Sequence, residues 1–445
     1  MQNSFHRWVN QHATDQVLPR AVRGDGIWIE DEHGKRYLDG SGGPALFSLG
    51  HSHPEVINAM RKQLDNLEFG YSADFSSESI DELTDLIISQ TGGTINRVSY
   101  VSGGSEANET AIKLAIQCQR ARGFPDRIKF IARRQSWHGY TIGALSLSGH
   151  AARRAPYEGA LLDVKHIGAL SAYRCPEGVT PETLAAHGAQ ELEDAILELG
   201  PENVAGFIFE PVVGAALGAA PAPDGYAKLV REVCDKYGVL MISDEIMCGV
   251  GRCTAWRALA VDDVEPDIMT IAKGLGGGYA PIGAAVYREQ VYQDIIAKDG
   301  KVATVHTYSG HTLACAAALA VQTVIVRDEL PKKCDRDGEY LKERLQDRFV
   351  NHPFVGDIRG RGLFVGLEMV ADRATRQPFE PSRDVANKIR TRTFENGLVC
   401  YPSPGTVDGV KGDHVLLSPS YLVSRDEIDQ MVDLLAKSID RLTEA

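Results

Sequence analysis

The sequence is poor in the features that place a chain in a membrane, on a nucleic acid or under a disulfide framework. Its longest apolar stretch, Val204 to Pro223, is broken by Glu210, Pro211 and Pro221, whereas a spanning helix needs about 20 mostly apolar residues. Basic residues are outnumbered, 47 Lys and Arg against 60 Asp and Glu, for a formal net charge of −13. That balance gives no electrostatic footprint for nucleic acid or an anionic membrane. Eight cysteines are scattered over 445 residues with no Cys-x-x-Cys pair, which reads as reduced, mostly buried thiols in a cytoplasmic protein. Met1 to Arg7 offer no apolar core for a secretory signal. His51 and His53 flank one residue with no ligand cluster nearby, so no metal site is expected. Low-complexity tracts, long charge runs and obvious repeats are absent.

What is present is the composition of a large globular chain, 43% apolar and 24% charged. The length predicts two or three domains at about 100–200 residues each. Residues 26–31 and 36–39 alternate apolar and polar around Glu32-His33-Gly34-Lys35, which predicts a hairpin. After His53-Pro54, the apolar residues Val56, Ile57, Met60 and Leu64 recur at helical spacing.

The middle of the chain alternates short apolar runs with helical stretches. The runs are Val98–Val101, Ile128–Ile131, Val204–Phe209, Val239–Ile242 and Ile268–Ile271. Continuous apolar runs between helices predict buried strands of a mainly parallel sheet, an α/β fold. Beyond about residue 315 helices mix with short strands at Gly362–Glu368 and Val415–Leu417, and Glu427–Leu442 reads as a closing helix. The expected division is an N-terminal segment of a small α+β domain (1–60), a large domain (61–315) and the C-terminal part of the small domain (316–445).

Ligands in such sheets sit at the carboxyl ends of the strands, so the residues after each run carry the chemistry. After the first run stands Ser102-Gly103-Gly104-Ser105, opening a helix. It reads equally as a phosphate cradle at Gly104 and Ser105 or as an ordinary cap. After the second run, Trp137-His138-Gly139-Tyr140 offers an aromatic for core packing or for stacking on a planar ring. Glu210 follows Phe209, a costly place for a carboxylate unless it is paired or functional. Asp244 and Glu245 follow the fourth run and could cap a helix. Lys273 follows the fifth, directly before Gly274-Leu275-Gly276-Gly277-Gly278, an unusual place for a merely solvated charge.

Together these residues meet the needs of pyridoxal 5′-phosphate: an amine for an imine, an acid for the ring nitrogen, an aromatic for the ring face and a cradle for the phosphate. Lys273 would form the Schiff base and later move the substrate proton. Asp244 would hold the protonated ring nitrogen. Trp137 and Ile246 would cover the two ring faces, and Gly104 and Ser105 would bind the phosphate.

The chain resembles the class III, fold type I pyridoxal-phosphate aminotransferases, the ω-aminotransferase group, over nearly its whole length. The most specific block runs Ser243-Asp244-Glu245-Ile246-Met247-Cys248-Gly249-Val250-Gly251-Arg252, with Lys273 following Asp244 by 29 residues inside Asp267-Ile268-Met269-Thr270-Ile271-Ala272-Lys273-Gly274. The resemblance implies further roles. Thr307 of His306-Thr307-Tyr308-Ser309-Gly310-His311 would bind the phosphate of a neighbouring subunit's cofactor, giving a homodimer with shared active sites. His138 follows the stacking aromatic, and Glu210 matches a glutamate that lines the substrate site. One departure stands out. The segment in which several members carry a mobile arginine here reads Leu398-Val399-Cys400-Tyr401-Pro402, which puts Tyr401 at that position. Arg361 and Lys411 are then the candidate carboxylate anchors.

The expected reaction is transfer of an amino group from an ω-amino acid, diamino acid or primary amine to a 2-oxo acid such as pyruvate or 2-oxoglutarate. Aminomutase, decarboxylase and racemase chemistry on the same fold is the alternative. A cofactor-binding DNA regulator would need a basic module that the sequence lacks.

Overall fold

The computed structural model describes residues 18–444. The Met1–Arg7 segment lies outside them. The apolar runs become a seven-stranded sheet. In spatial order the strands are Ile95–Val101, Gly283–Arg288, Ile268–Ile271, Leu240–Asp244, Val204–Phe209, Lys129–Arg133 and Val164–Ile167. Gly283–Arg288 is antiparallel to both neighbours, and the remaining pairs are parallel. All six residues of Val204–Phe209 are buried, as a strand covered on both faces requires.

The pairing register sets up the site. Asp244 lies beside Thr270, and Ser243 beside Phe209. Asp244, Glu210 and Lys273 therefore emerge at one edge of the sheet. Val101 pairs with Gly283, which brings Pro281 and Ile282 to the same edge.

The hairpin is present: Trp28–Asp31 pairs antiparallel with Arg36–Asp39 around Gly34, whose φ is +78°. Arg36–Asp39 also pairs in parallel with Leu398–Val399, so the two ends of the chain share one sheet. The indole Nε1 of Trp28 donates to Glu427 at 3.2 Å, tying the hairpin to the closing helix. That helix, Arg425–Ile439, begins with a capping box between Ser424 and Glu427. A four-stranded antiparallel sheet follows the order Val355–Gly360, Val365–Met369, Asp413–Leu417 and Tyr401–Pro404.

One apolar cluster joins Leu38, Met269, Val321, Val365 and Leu435 across the N-terminal, central and C-terminal elements. A second packs helices Leu184–Leu199 and Tyr226–Tyr237 on the central sheet through Leu192, Phe207 and Val230. Seven of the eight cysteines are buried, Cys175 being partly exposed.

Burial of basic groups gives the fold a pH dependence. Burial, reinforced by Arg153, pushes the His150 imidazole down to about 4. Burial and Arg154 do the same to His166, also to about 4. His414 is displaced further in the same direction by burial, with Arg359 and Arg153 adding to it. An unfolded histidine titrates near 6.5, so between about pH 4 and 6.5 the unfolded chain binds more protons at these sites. Burial raises Asp413 to about 6, which opposes them over part of that window. The expected net result is stability that rises with pH from 4 to 6.5, by about 1.4 kcal/mol per pH unit for each net proton. Urea midpoints measured across that range check it; a flat or falling profile contradicts it.

Candidate active site

The carboxyl edge of the central sheet encloses a cavity of about 410 Å³, lined among others by Ser102, Gly104, Trp137, Glu210, Asp244 and Lys273. Ser105, His138 and Ile246 also line it. Eight of the residues singled out from the sequence are thus brought together from five separate strand ends.

Asp244 is held by three donors. Its Oδ2 accepts from Asn108 Nδ2 at 2.8 Å and lies 2.8 Å from His138 Nδ1. Its Oδ1 accepts from the Ile246 N–H at 3.1 Å. An ionised carboxylate has about four acceptor positions, so one remains on the side of the cavity. The Nδ1–H tautomer of His138 is the one that suits this carboxylate. Asn108 is itself fully buried, giving its second Nδ2 hydrogen to the His138 carbonyl and accepting from Thr270 Oγ1 at 2.9 Å.

Lys273 sits at φ +44°, in the left-handed region that costs a lysine about 1–3 kcal/mol. The turn is fixed because its carbonyl accepts from the N–H groups of Gly276 and Gly277 at 3.1 and 2.9 Å. Its Nζ makes no hydrogen bond or ion pair among the described residues. Burial lowers the ammonium pKa, while Asp244 and Glu210 partly offset it. The amine therefore loses its proton more readily than a surface lysine does.

Opposite these groups the helix Gly104–Ala121 begins. Its first N–H groups have no intrahelical partner and face the cavity edge. A Cβ on Gly103 would meet nothing within 4 Å, so the backbone there borders open space. A Cβ on Gly104 would lie 2.9 Å from Ile246 Cδ1, so a larger residue there would push Ile246 aside. Ser105 Oγ accepts from the Tyr140 N–H at 3.0 Å, leaving its own hydrogen available.

Glu210 is buried, and burial raises its pKa against the pull of His138. Both its oxygens are engaged by backbone: Oε1 by the Trp137 N–H at 2.9 Å and Oε2 by the Gly214 N–H at 3.1 Å. It fixes the loop that presents Trp137. A second cavity of about 580 Å³ shares Trp137, Met247 and Lys273 with the first and extends to Arg153, Tyr157 and Tyr401.

Three sequence candidates stand elsewhere. Arg361 lines neither cavity: its guanidinium faces Asp262 at 3.9 Å, and its N–H bonds to the Phe364 carbonyl at 3.1 Å. The structure thus places Arg361 beside Asp262 and outside both cavities. Lys411 is exposed in the Asp408 turn. Thr307 is exposed in a turn outside both cavities.

The model of the class-III aminotransferases matches residues 9–439. The chain belongs to that family. An uncharacterized aminotransferase of Schizosaccharomyces pombe is 44% identical over 95% of this chain and 92% of its own. A diaminobutyrate–2-oxoglutarate transaminase of Halomonas elongata is 33% identical over 95% and 90%. An amine transaminase from an uncultivated Pseudomonas species, solved with pyridoxal phosphate bound, superposes with a TM-score of 0.92 at 32% identity, covering 99% of this chain and 100% of that one. This class-III aminotransferase has the fold type I architecture and uses pyridoxal phosphate.

The residues present fit that cofactor. An amine without a partner, a carboxylate with an acceptor position left, an indole and an open helix start converge on one cavity of ligand size. Asn108 and Arg153 escaped the sequence reading. Asn108 had a signal, since it falls on the apolar helix face marked by Ala111, Ala115 and Cys118. A polar residue in such a stripe is buried and must be satisfied.

Proposed function

We propose that this aminotransferase moves an amino group from an ω-amino acid, a diamino acid or a primary amine to a 2-oxo acid such as pyruvate or 2-oxoglutarate, in two half-reactions that share one site. The observation that carries the reading is the convergence of Lys273 Nζ and Asp244 on a single cavity.

Lys273 would hold the cofactor through its amine, Asp244 its ring nitrogen, and Gly104 and Ser105 its phosphate. Trp137 and Ile246 would confine the ring from its two sides. Bound pyridoxal phosphate supplies an electron sink for the pair left on the substrate carbon. Lys273 Nζ would also take the proton from the substrate carbon that bears the amine. The lowered proton affinity of this buried amine suits a base. The three donors on Asp244 keep it oriented. Glu210 keeps Trp137 in place through the Trp137 N–H.

We also infer a cytoplasmic homodimer with shared sites, Thr307 serving the partner's phosphate. In support, Thr307 is exposed beside Val305 and Tyr308, themselves 81% and 60% exposed. The division into residues 61–315 and a small domain of residues 1–60 and 316–445 belongs to the same reading, supported by the pairing of Arg36–Asp39 with Leu398–Val399. No helix among the described residues is long and apolar enough to cross a membrane.

The test is single-turnover absorbance of the cofactor-loaded protein mixed with a panel of amines and no oxo acid. Loss of the visible cofactor band with one amine class, and its return on adding a 2-oxo acid, is expected. A stable band with every amine, or release of carbon dioxide or an isomer without a second substrate, would move the assignment to decarboxylase, mutase or racemase chemistry. Sedimentation of the same sample should give a two-chain mass; a one-chain mass removes the shared-site reading.

A further inference from the structure

The second cavity contains a cation with no anion. Arg153 lines it together with Trp137, Tyr140, Tyr157, Lys273 and Tyr401. The guanidinium carbon lies 4.6 Å from the centroid of the Trp137 ring. Among the described residues the guanidinium makes one long hydrogen bond, from Nη2 to the Ser403 hydroxyl at 3.4 Å. Among the described residues no carboxylate lies within ion-pair distance of it.

Neighbouring arginines are treated differently. Arg154, next in the chain, donates to the carbonyls of Ser146 and Ser148 at 2.7 and 2.9 Å and so closes a loop. Arg359 is ion-paired with Asp357 at 2.8 Å and Glu368 at 2.7 Å. Arg133 is fully buried and donates to the Glu210 carbonyl at 3.0 Å. Arg153 is half-buried and keeps nearly all of its donors. A guanidinium lying on an aromatic face leaves its in-plane N–H edge open, which is the geometry for two parallel bonds to a carboxylate. No carboxylate among the described residues lines this cavity to compete for it; the other polar side chains of the wall are tyrosine hydroxyls, the Trp137 indole and Lys273.

We propose that Arg153 holds a substrate carboxylate, so that the amine donor is an amino acid whose carboxylate is remote from the transferred amine. The remoteness follows from placement. Lys273 and Trp137 line both cavities, whereas Arg153 lines only the outer one. The reacting carbon belongs beside Lys273, and the carboxylate would sit at Arg153 in the second cavity. An ω-amino acid, whose amine and carboxylate stand at opposite ends, suits that division between the two cavities. The hydroxyl pair of Tyr140 and Tyr157, 2.5 Å apart, stands across the same cavity as a further donor group. This inference rests on the transamination reading above and names its substrate class.

The experiment compares first half-reactions of the loaded protein with 4-aminobutyrate and 5-aminopentanoate against n-butylamine and n-pentylamine. The readout is the ratio of apparent second-order constants, carboxylated over plain amine. Arg153→Gln should lower that ratio about 30-fold, the range for a lost charge-assisted pair of bonds. Arg153→Lys, which keeps the charge but loses the fork, should fall between. General damage to the Trp137 wall would slow both donor classes alike and leave the ratio standing. A ratio within fivefold of wild type in Arg153→Gln overturns the proposal. Calorimetry with butyrate on the loaded protein gives a second readout that needs no turnover. Saturable binding, weakened at least tenfold in Arg153→Lys, is expected; equal binding by the two proteins overturns the proposal. A protein inert to every amine yet binding butyrate through Arg153 would separate failure of the transamination reading from failure of this one.

Discussion

A Lys273→Ala protein loaded with pyridoxal phosphate should lose the first half-reaction by about 10⁴-fold or more, and should fold at least as well as wild type. The first expectation follows from the two duties placed on one amine. It holds the cofactor, and it is the base beside the substrate carbon; positioned proton transfer alone contributes about 10²–10⁴-fold. The two carboxylates of the wall, Asp244 and Glu210, are held by fixed donors, whereas Lys273 Nζ is not. The second expectation follows from the unpartnered Nζ. Removing an amine that makes no hydrogen bond among the described residues leaves no partner stranded. Alanine at φ +44° bears the same backbone strain as lysine, so Lys273→Gly should melt higher than Lys273→Ala. Single-turnover absorbance and thermal unfolding of the cofactor-free proteins measure both. A half-reaction within tenfold of wild type would remove Lys273 from the chemistry. A large fall in melting temperature would instead make it a structural residue.

The two outcomes also show which layer of the protein was legible in the sequence. Strands buried on both faces announce themselves as unbroken apolar runs, as Val204–Phe209 does. The residues that follow such runs inherit the carboxyl edge of the sheet, so Glu210, Asp244 and Lys273 could be gathered without coordinates. Val164–Ile167 was not read as a strand, because an edge strand tolerates Lys165 and His166 and shows no apolar run. Gly283–Arg288 was missed because a sheet that is otherwise parallel gives no cue for one reversed member.

At the site, the legible residues are those whose chemistry is local to a strand end. Those that act across the fold were not. Asn108 reaches Asp244 from a helix 136 positions earlier. Arg361 reads as a free arginine until Asp262 is found beside it. Arg153 reads as half of an unremarkable Arg-Arg pair until Arg154 is seen bound to carbonyls and Arg153 is not. Charge is visible in a sequence; what neutralises it is a property of packing.

Asp244→Asn tests how much of the site depends on one negative charge. The substitution keeps shape, so its effect is electrostatic and directional. In wild type, Oδ2 receives Asn108 and His138 while Oδ1 receives Ile246 N–H. An asparagine must put its oxygen where two donors converge, which turns its NH₂ toward Ile246 N–H. Donor then faces donor, and a buried N–H loses its partner at a cost of about 1–3 kcal/mol. The remaining acceptor position on the cavity side disappears with the charge, so a protonated ring nitrogen has no counter-ion there. The expected result is a loss of about 10²–10⁴-fold in the half-reaction, within the range of removing an electrostatic stabiliser from a water-poor site. The pH dependence of the bound cofactor's absorbance should also move, because the ring proton would leave at lower pH once its counter-ion is gone. That spectral shift separates the roles. A slower enzyme whose spectrum titrates as wild type would mean that Asp244 only braces His138 and Asn108. A variant within tenfold of wild type would mean that the ring nitrogen does not need this carboxylate at all. Asn108→Ala sharpens the distinction, since it removes one of the three donors and leaves the charge. If orientation matters, it should reproduce part of the rate loss while the spectrum keeps its wild-type titration.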